Sequence, residues 1–92
     1  MKARLLLKQR TILHEKAFAE FAIWQLPASL PGSAHAYKYR LAFVVEGTCV
    51  LRYDNEAGKG DHRHIGNREM PYRFTTPEKL LSDFWNDVEK LK

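Results

Sequence analysis

Apolar and polar residues alternate with period two along the first half of the chain. Between Lys2 and Leu13, the odd positions hold Ala3, Leu5, Leu7 and Leu13, and the even positions hold Lys2, Arg4, Lys8 and Arg10. That is the pattern of a half-buried strand with one basic face. Over Phe18–Leu26, Phe18, Ala22 and Trp24 share a strand face with Glu20, while Phe21 and Ile23 share the other. The aromatic and β-branched residues favour a second strand, hairpinned to the first. The alternative for His14–Leu26 is a helix, supported by Glu15, Ala17, Ala19, Glu20 and Ala22. Either way Phe21, Ile23 and Trp24 are expected to be buried. Pro27–Ala34, with two prolines, a glycine and two serines, reads as a loop.

The clearest pattern runs from His35 to Asn55. Tyr37, Tyr39, Leu41, Phe43 and Val45 lie on one face of a strand, with Lys38 and Arg40 on the other. After a Glu46-Gly47-Thr48 turn, Cys49, Leu51 and Tyr53 alternate with Val50, Arg52 and Asp54. A simple two-residue Glu-Gly turn suits a type I′ hairpin, but it sets Leu41 against Arg52 and Tyr39 against Asp54. A three-residue loop, or an equivalent bulge, sets Phe43 against Leu51, Leu41 against Tyr53, Arg40 against Asp54 and Lys38 against Glu56. The second register keeps apolar with apolar and is the one expected. It gives Lys38, Arg40, Arg52 and Asp54 a common outward face.

Ala57–Pro71 reads as a loop because Gly58, Gly60 and Gly66 interrupt it. Tyr72-Arg73-Phe74 reads as a short strand that joins the sheet. A helix then starts at Thr75-Thr76-Pro77-Glu78, with either threonine as cap and Pro77 in the first turn. Leu80, Leu81, Phe84, Trp85, Val88 and Leu91 form its apolar stripe. The expected fold is therefore α+β: an antiparallel sheet of about five strands packed on one C-terminal helix, in a single domain spanning 1–92.

Composition narrows the class. The 92 residues are 45% hydrophobic and 28% charged, with no repeat and no apolar run near the ~18 residues of a membrane span. The first leucines are too few for a signal-peptide core, so a mature cytoplasmic chain is expected. Cys49 is the sole cysteine, which allows no internal disulfide. It reads as a small buried side chain in a strand, with a nucleophilic thiol as the other possibility. The net charge of +4 sits in the first half. Through Tyr53 there are eight Lys or Arg against three acids, and from Asp54 onward seven against eight. A field of this kind suits a polyanionic partner or substrate.

The densest run of reactive side chains is Tyr53 to His64. Within it, Asp61-His62-Arg63-His64 offers general acid–base groups, because histidine titrates near neutral pH. His-x-His, with Asp61 or His35, is also a partial metal-ligand pattern. Zinc sites need three or four ligands in fixed geometry, so neither a metal nor a cofactor is assigned. Gly58-Lys59-Gly60 offers backbone N–H groups and a cation for a phosphate, or simply a turn with a solvated lysine. Lys38, Arg40, Arg52, Arg63 and Arg68 with Tyr37, Tyr39 and Tyr53 supply the charge and π faces that single-stranded nucleic acid needs. Tyr39 and Tyr53 also read as core. Asp54 and Glu56 are placed to orient the cations rather than to act as acids. Cleavage of RNA without a metal needs a base for the 2′-hydroxyl, an acid for the leaving oxygen and cations for the phosphorane. His62, His64, Asp61, Lys38, Arg40, Arg52, Lys59 and Arg63 provide those types.

These segments also resemble a known family. His35-Ala36-Tyr37-Lys38-Tyr39-Arg40-Leu41, Arg52-Tyr53-Asp54-Asn55-Glu56, Gly58-Lys59-Gly60-Asp61-His62-Arg63-His64 and Pro77-Glu78-Lys79-Leu80-Leu81 ahead of Phe84 look like the TumE family of bacterial toxin components. The His14-Glu15-Lys16 region departs from it, lacking the glycine turn the pattern leads one to expect. The resemblance implies a cytoplasmic toxin of a type II toxin–antitoxin system, with a neighbouring DNA-binding antitoxin as partner. By analogy of class, it implies RNA or a ribosome-associated substrate and a metal-independent ribonuclease. A homodimer, or a hetero-oligomer with the antitoxin, is compatible with it. The rival readings are a non-catalytic basic protein that docks a partner, and a metal-dependent nuclease using Asp54, Asp61 and the histidines.

Overall fold

The computed structural model describes residues 3–31, 33–56 and 58–91. Six strands, β1 (Arg4–His14), β2 (Ala17–Gln25), β3 (Tyr37–Val45), β4 (Thr48–Glu56), β5 (Gly60–Ile65) and β6 (Arg68–Pro71), precede one helix, α1 (Pro77–Leu91). The strands lie in chain order in one antiparallel sheet. The fold is the expected α+β domain, with six strands instead of about five. Lys2 lies outside the described residues.

The strand reading of the second segment holds: Ala17–Gln25 pairs with β1 on one side and β3 on the other. The β1–β2 turn at Glu15-Lys16 has no positive φ. A bulge between Ile12 and His14 accompanies it and takes up the twist that a glycine turn would otherwise supply. A second bulge, between Leu5 and Leu7, changes the parity of β1. Arg4 therefore falls on the face of Ile23, whereas Lys8 and Arg10 fall on the face of Ala22 and Glu20, so the basic stripe is not continuous.

Between β3 and β4 the expected register is present: Arg40↔Asp54, Leu41↔Tyr53 and Phe43↔Leu51. The device combines both options. Glu46 and Gly47 form a two-residue turn with φ of 49° and 78°, as a type I′ turn requires. The ladder then passes from Val44↔Cys49 to Phe43↔Leu51, leaving Val50 as the extra residue of a bulge. This overturns the burial expected of Cys49. The bulge turns Val50 toward the core and Cys49 to the other face, where it is exposed. The expected Lys38–Glu56 pair also does not form. The ladder stops at Arg40↔Asp54, and the fully buried Asn55 replaces it. Its Oδ1 accepts from Tyr39 N at 2.9 Å and its Nδ2 donates to Tyr37 O at 2.7 Å.

The loop expected over Ala57–Pro71 is overturned for residues 58–71; Ala57 lies outside the described residues. Gly58 and Gly66 sit in the turns of two hairpins and Gly60 opens β5, paired with Glu56, so none of the three breaks the structure. Gly66 has φ 59° at the first position of the two-residue Gly66-Asn67 turn that joins β5 to β6, the place for glycine in a type II′ turn. Tyr72–Phe74 is not a strand; it leads from β6 to α1, and its rings pack on the sheet. Thr76 is the cap, its Oγ1 accepting from Lys79 N at 3.1 Å. The core lies between the helix and one sheet face. Leu80, Phe84 and Val88 meet Phe21, Ile23, Tyr39, Leu41, Phe43, Leu51 and Tyr53. Phe84 stands edge-on to Phe21 at 6.3 Å and to Tyr53 at 6.0 Å. Trp24 departs from expectation. It is half-buried and lies on the opposite face, across from Lys38.

Candidate functional site

The pleat of β5 separates the reactive run into two sets. Asp61, Arg63 and Ile65 pair with Asn55, Tyr53 and Leu51, so they face the helix. His62 and His64 pair with Asp54 and Arg52, so they face away from it. The four side chains from Asp61 to His64 therefore do not converge on one point.

On the helix side, Asp61 accepts from Tyr39 OH at 2.6 Å and lies 2.9 Å from His35 Nε2. His35 Nδ1 accepts from Tyr37 N at 3.1 Å, which leaves the proton on Nε2, facing the carboxylate. Phe74 stacks on the His35 ring at 4.0 Å. Both nitrogens of His35 are thus engaged. Arg63 donates to Asp87 at 3.2 Å and reaches Met70 Sδ at 2.9 Å. Asp87 also accepts from Tyr53 OH at 2.5 Å. The hydrogen bond to Tyr53 raises the Arg63 pKa above its ordinary value, more than burial lowers it. Tyr72 OH donates to Asp83 at 2.6 Å, and Lys79 pairs with the same carboxylate. Burial would raise Asp83, but the hydrogen bonds from Lys79 and Tyr72 outweigh it and hold the carboxyl below its usual range. Burial first, then the bonded carboxylates, push the Tyr39, Tyr53 and Tyr72 phenols above theirs. This set fastens β3, β5 and the segment before α1 together.

On the open side, successive register pairs draw two rows straight across the sheet. One runs Lys8, Ala22, Arg40, Asp54, His62, Pro71; the other runs Arg10, Glu20, Ala42, Arg52, His64, Glu69. Where the rows meet β4 and β5, a cluster forms. Arg52 Nη2 is 3.1 Å from His64 Nε2. A guanidinium can only donate, so this ring nitrogen carries no proton. Arg52 Nε lies 3.1 Å from Asp54 Oδ2, an ion pair without hydrogen-bond alignment. Asp54 Oδ1 is 3.9 Å from His64 Nε2. Glu69 stands between the two imidazoles, 3.3 Å from His62 Nδ1 and 4.0 Å from His64 Nδ1, whose rings are 6.4 Å apart. His62 Nε2 is buried and has no hydrogen-bond partner among the described residues. A proton there would be a buried N–H with no acceptor, so the arrangement favours a proton on Nδ1, toward Glu69.

The remaining candidates are spread around this cluster. Arg40 is exposed and opposite Asp54. Lys38 Nζ donates to Asn55 O at 2.6 Å. Gly58 N donates to Pro31 O and Lys59 N to Glu56 O, so these two amides are used inside the protein. The Lys59 ammonium is 3.9 Å from Glu56, which is therefore paired at the turn and not with Lys38. Arg68 is exposed on β6. Glu69 was not singled out from the sequence, although Gly66-Asn67 between Ile65 and Arg68 is a hairpin signal that would have set it opposite His64. Among the described residues no three His, Cys, Asp or Glu side chains are grouped to hold a metal ion. No helix is long and apolar enough to cross a membrane.

A family model described as Toxin TumE matches residues 2–92. The chain belongs to the TumE toxin family. Neither the curated proteins nor the solved structures gave a match. The matched span includes all six strands and the helix.

Proposed function

We propose that this TumE-family chain is the toxin of a type II toxin–antitoxin system and that it cleaves RNA on the open sheet face without a metal. The observation that carries this reading is the contact between His64 Nε2 and Arg52 at 3.1 Å. It joins an imidazole nitrogen ready to accept a proton to a guanidinium suited to a phosphate. The substrate 2′-hydroxyl takes the place of the Arg52 N–H at Nε2. His64 removes its proton as the oxygen attacks the adjacent phosphorus. The bond to the 5′-oxygen breaks, and that oxygen takes a proton back from His64. The products are a 2′,3′-cyclic phosphate and a 5′-hydroxyl end. Arg52, held by Asp54, carries the phosphorane charge, with Arg40 and Lys38 along the strand path. His62 positions Glu69, which faces Nδ1 of His64 and stabilises it when charged. Arg63 and Asp61 support β5 from behind. The partner is a DNA-binding antitoxin encoded beside the toxin.

The test is inducible expression in bacteria with and without the neighbouring reading frame, followed by sequencing of RNA ends. New 5′-hydroxyl ends are expected, unaffected by chelator in the purified reaction. His64→Ala should abolish both cleavage and growth arrest, and His62→Ala should weaken them. Growth arrest with unchanged RNA ends, or full toxicity of His64→Ala, overturns the reading. Charge reversal at Arg40 and Lys38 that disarms the protein while both histidines are dispensable would identify a non-catalytic docking toxin instead.

A further inference from the structure

The open face holds a groove of about 590 Å³ beside the cluster, over β1 to β4. Ala22, Ala42 and Val44 lie along it, with Trp24 at one end and Lys8, Arg10 and Arg40 on its sides. The two tryptophans differ sharply. Trp85 packs edge-on to Phe21 at 6.0 Å and to Phe84 at 5.4 Å. Trp24 has no ring, ion or hydrogen-bond contact with a described residue, yet it is held on a paired strand. The cations differ in the same way. Arg10 is bonded to Glu20 at 2.8 Å and lies 4.3 Å over the Phe18 ring. Lys8 and Arg40 have no ion pair among the described residues. Glu20 is the one carboxylate lining the groove, and Arg10 neutralises it. The groove therefore combines an uncommitted π face, a flat apolar floor and two uncommitted positive charges.

We propose that this groove is a nucleobase-stacking subsite for single-stranded RNA, with Trp24 as the platform and Lys8 and Arg40 as phosphate contacts. It rests on the reading that the open face takes RNA, and it adds a place for the strand. Ala22, Arg40, Asp54 and His62 occupy successive strands of one row, so the groove and the histidines are roughly 14 Å apart at ~4.8 Å per strand. A short strand laid across the sheet keeps one base on Trp24 while its scissile phosphate reaches Arg52. The subsite sets where the strand is held and so which phosphate is presented. Stacking tolerates any base, so each nucleotide offers Trp24 a ring beside its phosphate, whereas Asp and Glu side chains offer charge without one.

The experiment uses the full chain carrying His64→Ala, which blocks cleavage, and Trp85→Phe, which leaves Trp24 as the sole indole. A labelled single-stranded RNA of roughly ten nucleotides, a typical single-strand site, is titrated by anisotropy and by tryptophan emission. Binding should quench Trp24. Adding Trp24→Ala should raise Kd roughly tenfold, while Trp24→Phe should raise it less than about threefold. Lys8→Glu and Arg40→Glu should weaken binding and flatten its salt dependence. An abasic strand of equal charge should bind more weakly and leave the emission unchanged. The proposal is overturned if Trp24→Ala binds within about twofold of its parent, or if the abasic strand binds as tightly. It is also overturned if polyglutamate quenches Trp24 as strongly as RNA, which would make the groove a site for an acidic protein segment. Binding that quenches Trp24, with no cleavage by the unaltered protein, keeps the subsite and removes the acid–base role of His64. Cleavage with a silent Trp24 does the reverse.

Discussion

On the helix side of the sheet, Asp61, Asp83 and Asp87 are each bonded to two side chains. Tyr39 and His35 hold the first, Tyr72 and Lys79 the second, Tyr53 and Arg63 the third. On the open side, His62 Nε2 has no described partner, Arg52 Nε is unaligned with Asp54, and Trp24 has no described ring neighbour. The residue types overlap, and β4 and β5 contribute to both sets. The difference is what covers them. A helix over one face removes water, and any polar group left beneath it must find a protein partner. No helix covers the open face, yet His62 Nε2 and Arg52 Nε are buried there by their neighbours without a hydrogen-bond partner among the described residues, so that face keeps polar capacity a ligand can use. The side that looks busiest is thus the scaffold, and the less satisfied side is where we propose the working surface.

Substitutions should divide along the same line. The largest effect is expected under the helix: Phe84→Ala should lower the unfolding free energy by ~3–5 kcal/mol in a denaturant titration. Next is Asp87→Ala, which leaves the Tyr53 hydroxyl with only the Asp83 carbonyl at 3.4 Å and the Arg63 guanidinium without its carboxylate. Its loss should be about 2–3 kcal/mol, with the Asp87→Asn loss smaller. An Asp87→Ala protein as stable as the parent would mean that the helix-side network is not the scaffold.

A smaller, pH-dependent effect belongs to Asp83. Its folded-state pKa lies below the ordinary 3.8, so its contribution is present above that pH and lost as pH falls through the folded value. Asp83→Asn should be less stable than the parent by about 1 kcal/mol at neutral pH. The gap should close in acid, as melts across pH will show. The smallest stability effect is expected on the open face. His64→Ala should shift stability by no more than ~0.5 kcal/mol while removing toxicity. If it instead unfolds the protein as Phe84→Ala does, the contrast between the two faces fails.

Much of this was legible in the sequence. Period-two alternation located four strands, and keeping Leu41 with Tyr53 selected the β3–β4 register. The Thr75-Thr76-Pro77-Glu78 start and the apolar stripe placed the helix. What failed is instructive. Gly58, Gly60 and Gly66 were read as interruptions when two are turn positions and Gly60 opens β5, which hid β5, β6 and Glu69. Alternation was carried through Cys49 and through Arg4 as if no bulge intervened. Each bulge shifts the parity by one residue, and that moves a side chain from one face to the other.

By itself, the sequence determined which residues must share a buried face, because burying them together is the main driving force of the fold. It also fixed the side chains available for chemistry between Tyr53 and His64. Tertiary structure alone decided which of these meet. The pleat sends Asp61 and Arg63 to the helix and His62 and His64 to the open face. The Gly66-Asn67 turn brings Glu69 between the two imidazoles, and the sheet aligns Lys8, Arg40 and Asp54 from three strands in one row. Glu69 follows from a local turn, but the alignment of Lys8 with Arg40 and the choice of which sheet face the helix covers depend on segments that lie far apart in the chain, and no local pattern encodes those.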